Sequence, residues 1–139
     1  MEGDQMIGQF DNKMLEAVFE TIPVEVSVVD ANDKVVAWNK QEKRIFKRPK
    51  GILGRDVRNC HPEASLKNVE IILSEMKSGK REKAQFWIDL KIEGKDDYQK
   101  ILIEYFALRD TAGDYIGCLE VSQNITDIQK LTGQKRLLD

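Results

Sequence analysis

Three groups of residues in this chain could do chemistry. Cys60-His61-Pro62 holds the only histidine and one of the two cysteines. An imidazole can ligate heme iron or change charge near neutral pH, and a cysteine thiolate binds soft metals or enters redox exchange. Each also has a purely structural role open to it. His61 can precede or cap a helix started by Pro62, and Cys60 can be a small buried apolar residue. Their adjacency does not make a dyad, because catalytic partners are brought together by the fold and not by neighbouring positions. The second group is Cys118, Glu120 and Ser122, which period-2 geometry puts on one face of a strand, opposite Leu119, Val121 and Gln123. If buried there, Glu120 needs an Arg, a Lys or a ligand donor as partner; otherwise it lies on an open sheet face. The third group is aromatic: Trp38, Phe46, Trp87, Tyr105 and Phe106 can stack on a ligand or fill a core. An enzyme built on Glu120, Tyr105 or His61 would need a nucleophile–base pairing or metal-ligand spacing. Neither is present, so no enzymatic activity, no catalytic residue and no metal site are expected.

The elements that must position these residues follow from periodicity. Phe10, Met14, Ala17, Val18 and Thr21 recur at helical spacing, and Pro23 ends the run. Residues 25–30 and 34–38 read as strands joined by the turn Ala31-Asn32-Asp33. The middle is irregular, with short helical pieces near 39–46 and 54–62 broken by Arg48-Pro49-Lys50-Gly51. Leu66, Val69, Ile72, Leu73 and Met76 form the stripe of a long helix over 63–78, started by Pro62 and ended by Gly79. Ala84, Phe86, Ile88 and Leu90 alternate with polar residues over 83–92, and strands follow over 98–109 and 115–124. Ile125, Ile128, Leu131 and Leu138 stand at rough heptad spacing and predict a terminal helix, weakened by Gly133. Two strands, a helical middle and three strands do not alternate as a parallel sheet requires. The pattern predicts an α+β fold: a five-stranded antiparallel sheet with helices packed on one face.

Length and composition fit one domain of ordinary core size. With 22 basic and 24 acidic residues the formal net charge is −2, which gives no global attraction to nucleic acid or anionic membrane. No apolar run approaches the roughly 20 residues that span a bilayer. Two cysteines without a CxxC pair or secretory signal point to reduced thiols and a cytoplasmic location.

The ordered set Val29-Asp30 with its turn, Trp38-Asn39, Gly54-Arg55, Arg109-Asp110…Gly113 and Asn124-Ile125-Thr126 resembles a PAS domain over about residues 12–128. In that family the last strand ends in an Asp-Ile-Thr-like triplet and hands the chain to a signalling helix. Asn59-Cys60-His61-Pro62 and Phe86-Trp87-Ile88 more narrowly resemble a bacterial and archaeal subgroup, often attached to a domain of unknown function and a hemerythrin-like domain. The resemblance implies a flexible tail over 1–9, a PAS domain with an N-terminal cap helix over 10–127, and a signalling helix or linker over 128–139. It implies a sensory module that binds a small molecule or a partner, acts as a homodimer, and serves other signalling modules of a larger protein; a ligand-free dimerisation module is the alternative. The ligand-binding residues would be His61, Leu73, Ile88, Ile103, Tyr105, Cys118, Glu120 and Ser122, with Ile101 and Phe86 also pointing inward. Position by position, the flavin-adduct cysteine of the photoreceptor members falls on Val57, and their last-strand glutamine on Ser122, against a covalent flavin. The heme-ligating histidine of oxygen-sensing members falls on Val69. Heme would have to use His61 in another geometry, which ranks it behind other small molecules.

Overall fold

Two hairpins of the same construction build most of the sheet. In the computed structural model, which describes residues 6–139, β1 (Glu25–Asp30) and β2 (Val35–Trp38) are joined by a turn closed by Asp30. Its Oδ1 accepts from the Asn32 and Lys34 amides at 2.9 and 3.0 Å. Asp110 does the same ahead of Tyr115, accepting from Ala112 and Asp114, both at 3.0 Å. Each turn needs one residue in the left-handed region, Gly113 at φ 89° and Asp33 at φ 64°. Glycine enters that region without steric cost. Asp33 is compensated instead by its buried carboxylate, which accepts from Lys77 Nζ at 2.8 Å and Arg58 Nη1 at 3.2 Å.

With β3 (Lys83–Leu90), β4 (Gln99–Arg109) and β5 (Tyr115–Asn124), the strands form one antiparallel sheet in the order β2-β1-β5-β4-β3. Gly117 is required where β5 meets β1. A Cβ at that position would stand 2.3 Å from the Val29 carbonyl oxygen, inside any tolerable contact. The long helix α2 (Glu63–Lys77) lies on one face and buries Val69, Ile72, Leu73 and Met76 against Val29, Val35, Val57, Ala84 and Cys118. It ends in a Schellman cap: Lys80 N–H donates to Glu75 O and Gly79 N–H to Met76 O, with Gly79 at φ 82°. Pro62 stands at the cap position, one residue ahead of the first helical residue.

The strands and α2 match the expected spans to within two residues. The first helix, α1 (Asn12–Thr21), also forms, capped by Asp11, whose side chain accepts from Met14 N at 2.7 Å. It buries none of its residues. The expected terminal helix over 128–139 does not form: only a 3-10 turn at Ile128–Lys130 is helical, and Leu131 is already extended. The heptad-like apolar residues there have nothing to pack on, and Leu138 is 95% exposed. A short helix without a packed face does not hold in water. Of the tail expected over 1–9, residues 1–5 lie outside the described residues.

Asn39, at 0% exposure, ties α1 to the sheet. Its Oδ1 accepts from Val26 N at 2.7 Å, and its Nδ2 donates to Phe19 O at 2.7 Å and Val24 O at 3.1 Å. Truncating it strands one buried and two part-buried backbone groups. Asn39→Ala is expected to cost about 2–4 kcal/mol in urea unfolding. A loss below about 0.5 kcal/mol, the size of an ordinary surface substitution, would show that these bonds are dispensable.

Candidate functional site

Between α2 and the sheet the packing is incomplete. A partly open internal cavity of about 20 Å³ is lined by Val29, Val57, His61, Val69, Ile72, Leu73, Tyr105, Cys118 and Glu120. That is room for about one water molecule. Beside it an open groove of about 190 Å³ runs between the first turns of α2 and strands β3 and β4. His61, Val69, Ile72 and Tyr105 line both spaces, so these four side chains form the partition between them. The groove exists because α2 does not cover β3 beyond Ala84: Phe86 and Ile88 remain exposed on the same face as the half-buried Ile103 and Tyr105. Phe86 and Tyr105 meet edge to face, with ring centroids 6.1 Å apart and planes at 81°.

Seven of the eight residues expected to bind ligand line one space or the other. His61, Leu73, Tyr105, Cys118 and Glu120 line the cavity, and Ile88 and Ile103, with His61 and Tyr105 again, line the groove. Ser122 does not. It shares their sheet face and is buried, but it pairs with Glu25, over which the Ile45–Phe46 backbone is fixed. Val57 and Val69, the positions to which the flavin cysteine and the heme histidine corresponded, are both cavity walls. Valine offers neither a thiol nor a nitrogen ligand there. Of the aromatic candidates Tyr105 reaches the site, whereas Trp87 is 63% exposed and points away from it.

The polar end of the cavity is built by residues far apart in sequence. Glu120 in β5 accepts from Arg48 Nη2 at 3.1 Å, with both side chains nearly buried. Arg48 belongs to the irregular stretch after β2, where Gln41 Nε2 donates to its carbonyl at 3.2 Å and Trp38 Nε1 holds Gln41 Oε1 in turn. Next to this pair lies a second one. Arg44 and Glu25 stand 3.7 Å apart, and Glu25 also accepts from the Ile45 and Phe46 amides at 2.6 and 3.0 Å. Arg44 spends its guanidinium on Phe46 O, Val26 O, Asn39 O and Ser27 Oγ. Sequence reasoning missed Glu25, Arg44 and Arg48. The available signal was Glu25 itself, which period 2 puts on the same face as Ser27 and Val29 and which therefore needs a partner.

The protonation states at the site are conservative. Burial, and then the Glu120 carboxylate, push the Cys118 thiol up to about 12. The same two causes, in the same order, raise the Tyr105 phenol, and burial raises Cys60. Burial, the largest cause at both cysteines, thus disfavours the thiolate at each. Among the described residues no cluster of His, Cys, Asp and Glu is arranged to hold a metal ion. His61 presents its Nδ1 to Val57 O at 3.1 Å, so in that contact Nδ1 carries the hydrogen. The cavity and the groove as they stand fall short of the 300–1,000 Å³ typical of drug-sized sites, and shorter still of a heme macrocycle.

Removing one member of the Arg48–Glu120 pair leaves the other unpaired in a nearly dry place. Glu120→Leu is expected to destabilise by about 2–4 kcal/mol, and Arg48→Met with Glu120→Leu to recover at least half of that. Chemical unfolding of the wild type, both single variants and the double variant measures it. A double variant as unstable as the sum of the singles would mean the pair is not coupled.

The sequence matches the family described as PAS domain over residues 15–126. Among solved structures the chain is similar to a C-terminal domain from Streptococcus mutans, at 26% identity and a TM-score of 0.80, covering 95% of this chain and 100% of that one. It is similar to the PAS domain of Bordetella pertussis BvgS, at 15% identity and a TM-score of 0.60, covering 82% and 85% of the two chains. The phage VqmA–DPO complex matches at 15% identity and a TM-score of 0.59, over 84% of this chain and 54% of that one. No curated protein matches the sequence.

Proposed function

Because the chain belongs to the PAS domain family, whose members are typically sensory modules of signalling proteins, we propose that it senses a small molecule held between α2 and the sheet. The observation that carries this reading is the four-residue partition. An interior cavity separated from an open groove only by side chains can merge with it when those side chains rotate. The phage VqmA structure, a complex with DPO, supports a small molecule as the kind of occupant. The relay runs along β5, which carries Glu120 at the cavity and Asn124 at its end. There Asn124 Nδ2 donates to Gln99 Oε1 at 2.9 Å, and Thr126 Oγ1 accepts from Lys100 N at 2.8 Å, so the chain leaves the sheet from a fixed point. The segment beyond Ile125 passes the signal to other modules of a larger, cytoplasmic protein. Two free cysteines and a nearly balanced charge support that setting without a nucleic-acid or membrane partner. Among the described residues no helix is long and apolar enough to cross a membrane.

Native mass spectrometry of freshly purified chain is expected to show a population heavier than the 16.0 kDa polypeptide by one small molecule. Val69→Trp, which fills the partition, should abolish it. Only bare polypeptide under mild conditions would overturn the reading.

A second reading, a dimerisation module, is favoured by α1. Just ahead of it Phe10 is 46% exposed, and in it Met14, 54% exposed, forms with Leu15 and Val18 an apolar stripe that nothing among the described residues covers. Such a stripe is buried by a second copy. Sedimentation equilibrium is expected to give a homodimer that Met14→Glu with Val18→Glu converts to monomer. Wild-type monomer at high micromolar concentration would contradict this.

A further inference from the structure

Resting on the reading of this space as a ligand pocket, we infer that its ligand is a small, uncharged, mostly apolar molecule that donates one hydrogen bond to His61 Nε2. The polar residues around the two spaces are His61, Ser65, Asn68, Tyr105, Cys118 and Glu120, of which Asn68 stands exposed at the rim of the groove. Glu120 is held by Arg48, and Ser65 Oγ donates to Pro62 O at 3.0 Å. Tyr105 and Cys118 keep their protons. His61 differs. A carbonyl oxygen can only accept, so the Val57 contact commits Nδ1 as the donor. In the neutral ring Nε2 is then left with its lone pair, and it makes no hydrogen bond among the described residues. His61 lines both the cavity and the groove, so an acceptor of fixed tautomer stands at the partition.

Charge is excluded by the same inventory. Glu120 is the only carboxylate lining either space, no lysine or arginine lines them, and Arg48 already neutralises it. An anion would lose its hydration beside a carboxylate with no lysine or arginine to receive it, and the neutral His61 ring offers it only a lone pair. A cation would have to break the Arg48–Glu120 pair and leave a guanidinium unpaired in the interior. The apolar walls Val69, Ile72, Ile88 and Ile103 and the edge-to-face Phe86–Tyr105 pair favour a flat hydrocarbon-rich body. A groove of about 190 Å³ limits it to on the order of ten non-hydrogen atoms.

Indole, 1-methylindole and indole-3-carboxylate probe these requirements one at a time, by two-dimensional amide NMR of the intact chain. Indole is expected to shift the amides around the groove saturably. 1-Methylindole, which lacks the donor, should bind about fivefold more weakly, and the carboxylate should not bind there. His61→Leu should weaken indole about fivefold and leave 1-methylindole unchanged, while His61→Gln, which restores an acceptor, should recover most of the loss. If His61→Leu does not fold, the indole and 1-methylindole comparison on the wild type decides alone. Equal binding of those two, or tighter binding of the carboxylate, overturns the inference while the pocket reading stands. A copurified small molecule with no response to indole overturns only the ligand class. The absence of both overturns the pocket reading with it.

Discussion

Glu25 and Arg44, buried at 3.7 Å from one another, hold together the part of the molecule that has least structure of its own. Between β2 and α2 the chain makes three 3-10 turns, and apart from a short pairing of residues 54–57 with 33–35 its backbone groups have no ladder to join. Arg44 gives hydrogen bonds to three carbonyls and a hydroxyl, and Glu25 takes two amides. Burying two charges is expensive, and the pair is tolerable only because these extra bonds satisfy both of them. Everything downstream inherits the arrangement. Arg48 can reach Glu120 because Ile45 and Phe46, three and two residues earlier, are pinned to Glu25.

The other end of α2 is fixed by a different set of charges. Arg58 joins Asp56, Asp33 and Glu70, and Lys77 reaches the same Asp33. These contacts, with Glu70 first and Asp56 next, raise the Arg58 guanidinium further and keep it charged. The turn between β1 and β2, the 3-10 turn Val57–Cys60 and the long helix are thereby clamped along the β1 side. Along the β3 side the clamps sit only at the C-terminal end of α2, where Arg81 joins Glu75 to Lys83 O and Arg109 joins Met76 O to Glu82, and the groove opens beside the first turns.

How far the sequence could be read depends on the range of the interaction. Strands β3, β4 and β5 and helix α2 are written in local periodicity, and the strand face carrying Cys118 and Glu120 follows from counting by twos. The partner of Glu120 lies 72 residues away, in a stretch with no periodicity, and no local rule finds it. Ser122 was placed on the right face, but the face has two environments: apolar under α2, and polar under the Glu25–Arg44 segment. The terminal heptad pattern misled for the opposite reason. Spacing shows which residues could share a stripe and says nothing about whether a surface exists to receive it, and Leu131 to Leu138 meet none.

Helix α1 has a mechanical character that its exposed side chains alone do not convey. It is joined to the sheet at one end, where Asn39 binds Phe19 O, and Lys40 N and Nζ bind Glu20 Oε1 and O at 2.8 and 3.0 Å. Along the rest of its ten residues it is unburied. That is a rod on a pivot. A rod of this length reaches about 15 Å, so a rotation of about 10° at Asn39 carries Phe10 through about 2.5 Å. The pivot residue also bonds Val26, the neighbour of Glu25, so a strain of a few tenths of an ångström in β1 would arrive at the far end of α1 enlarged several-fold.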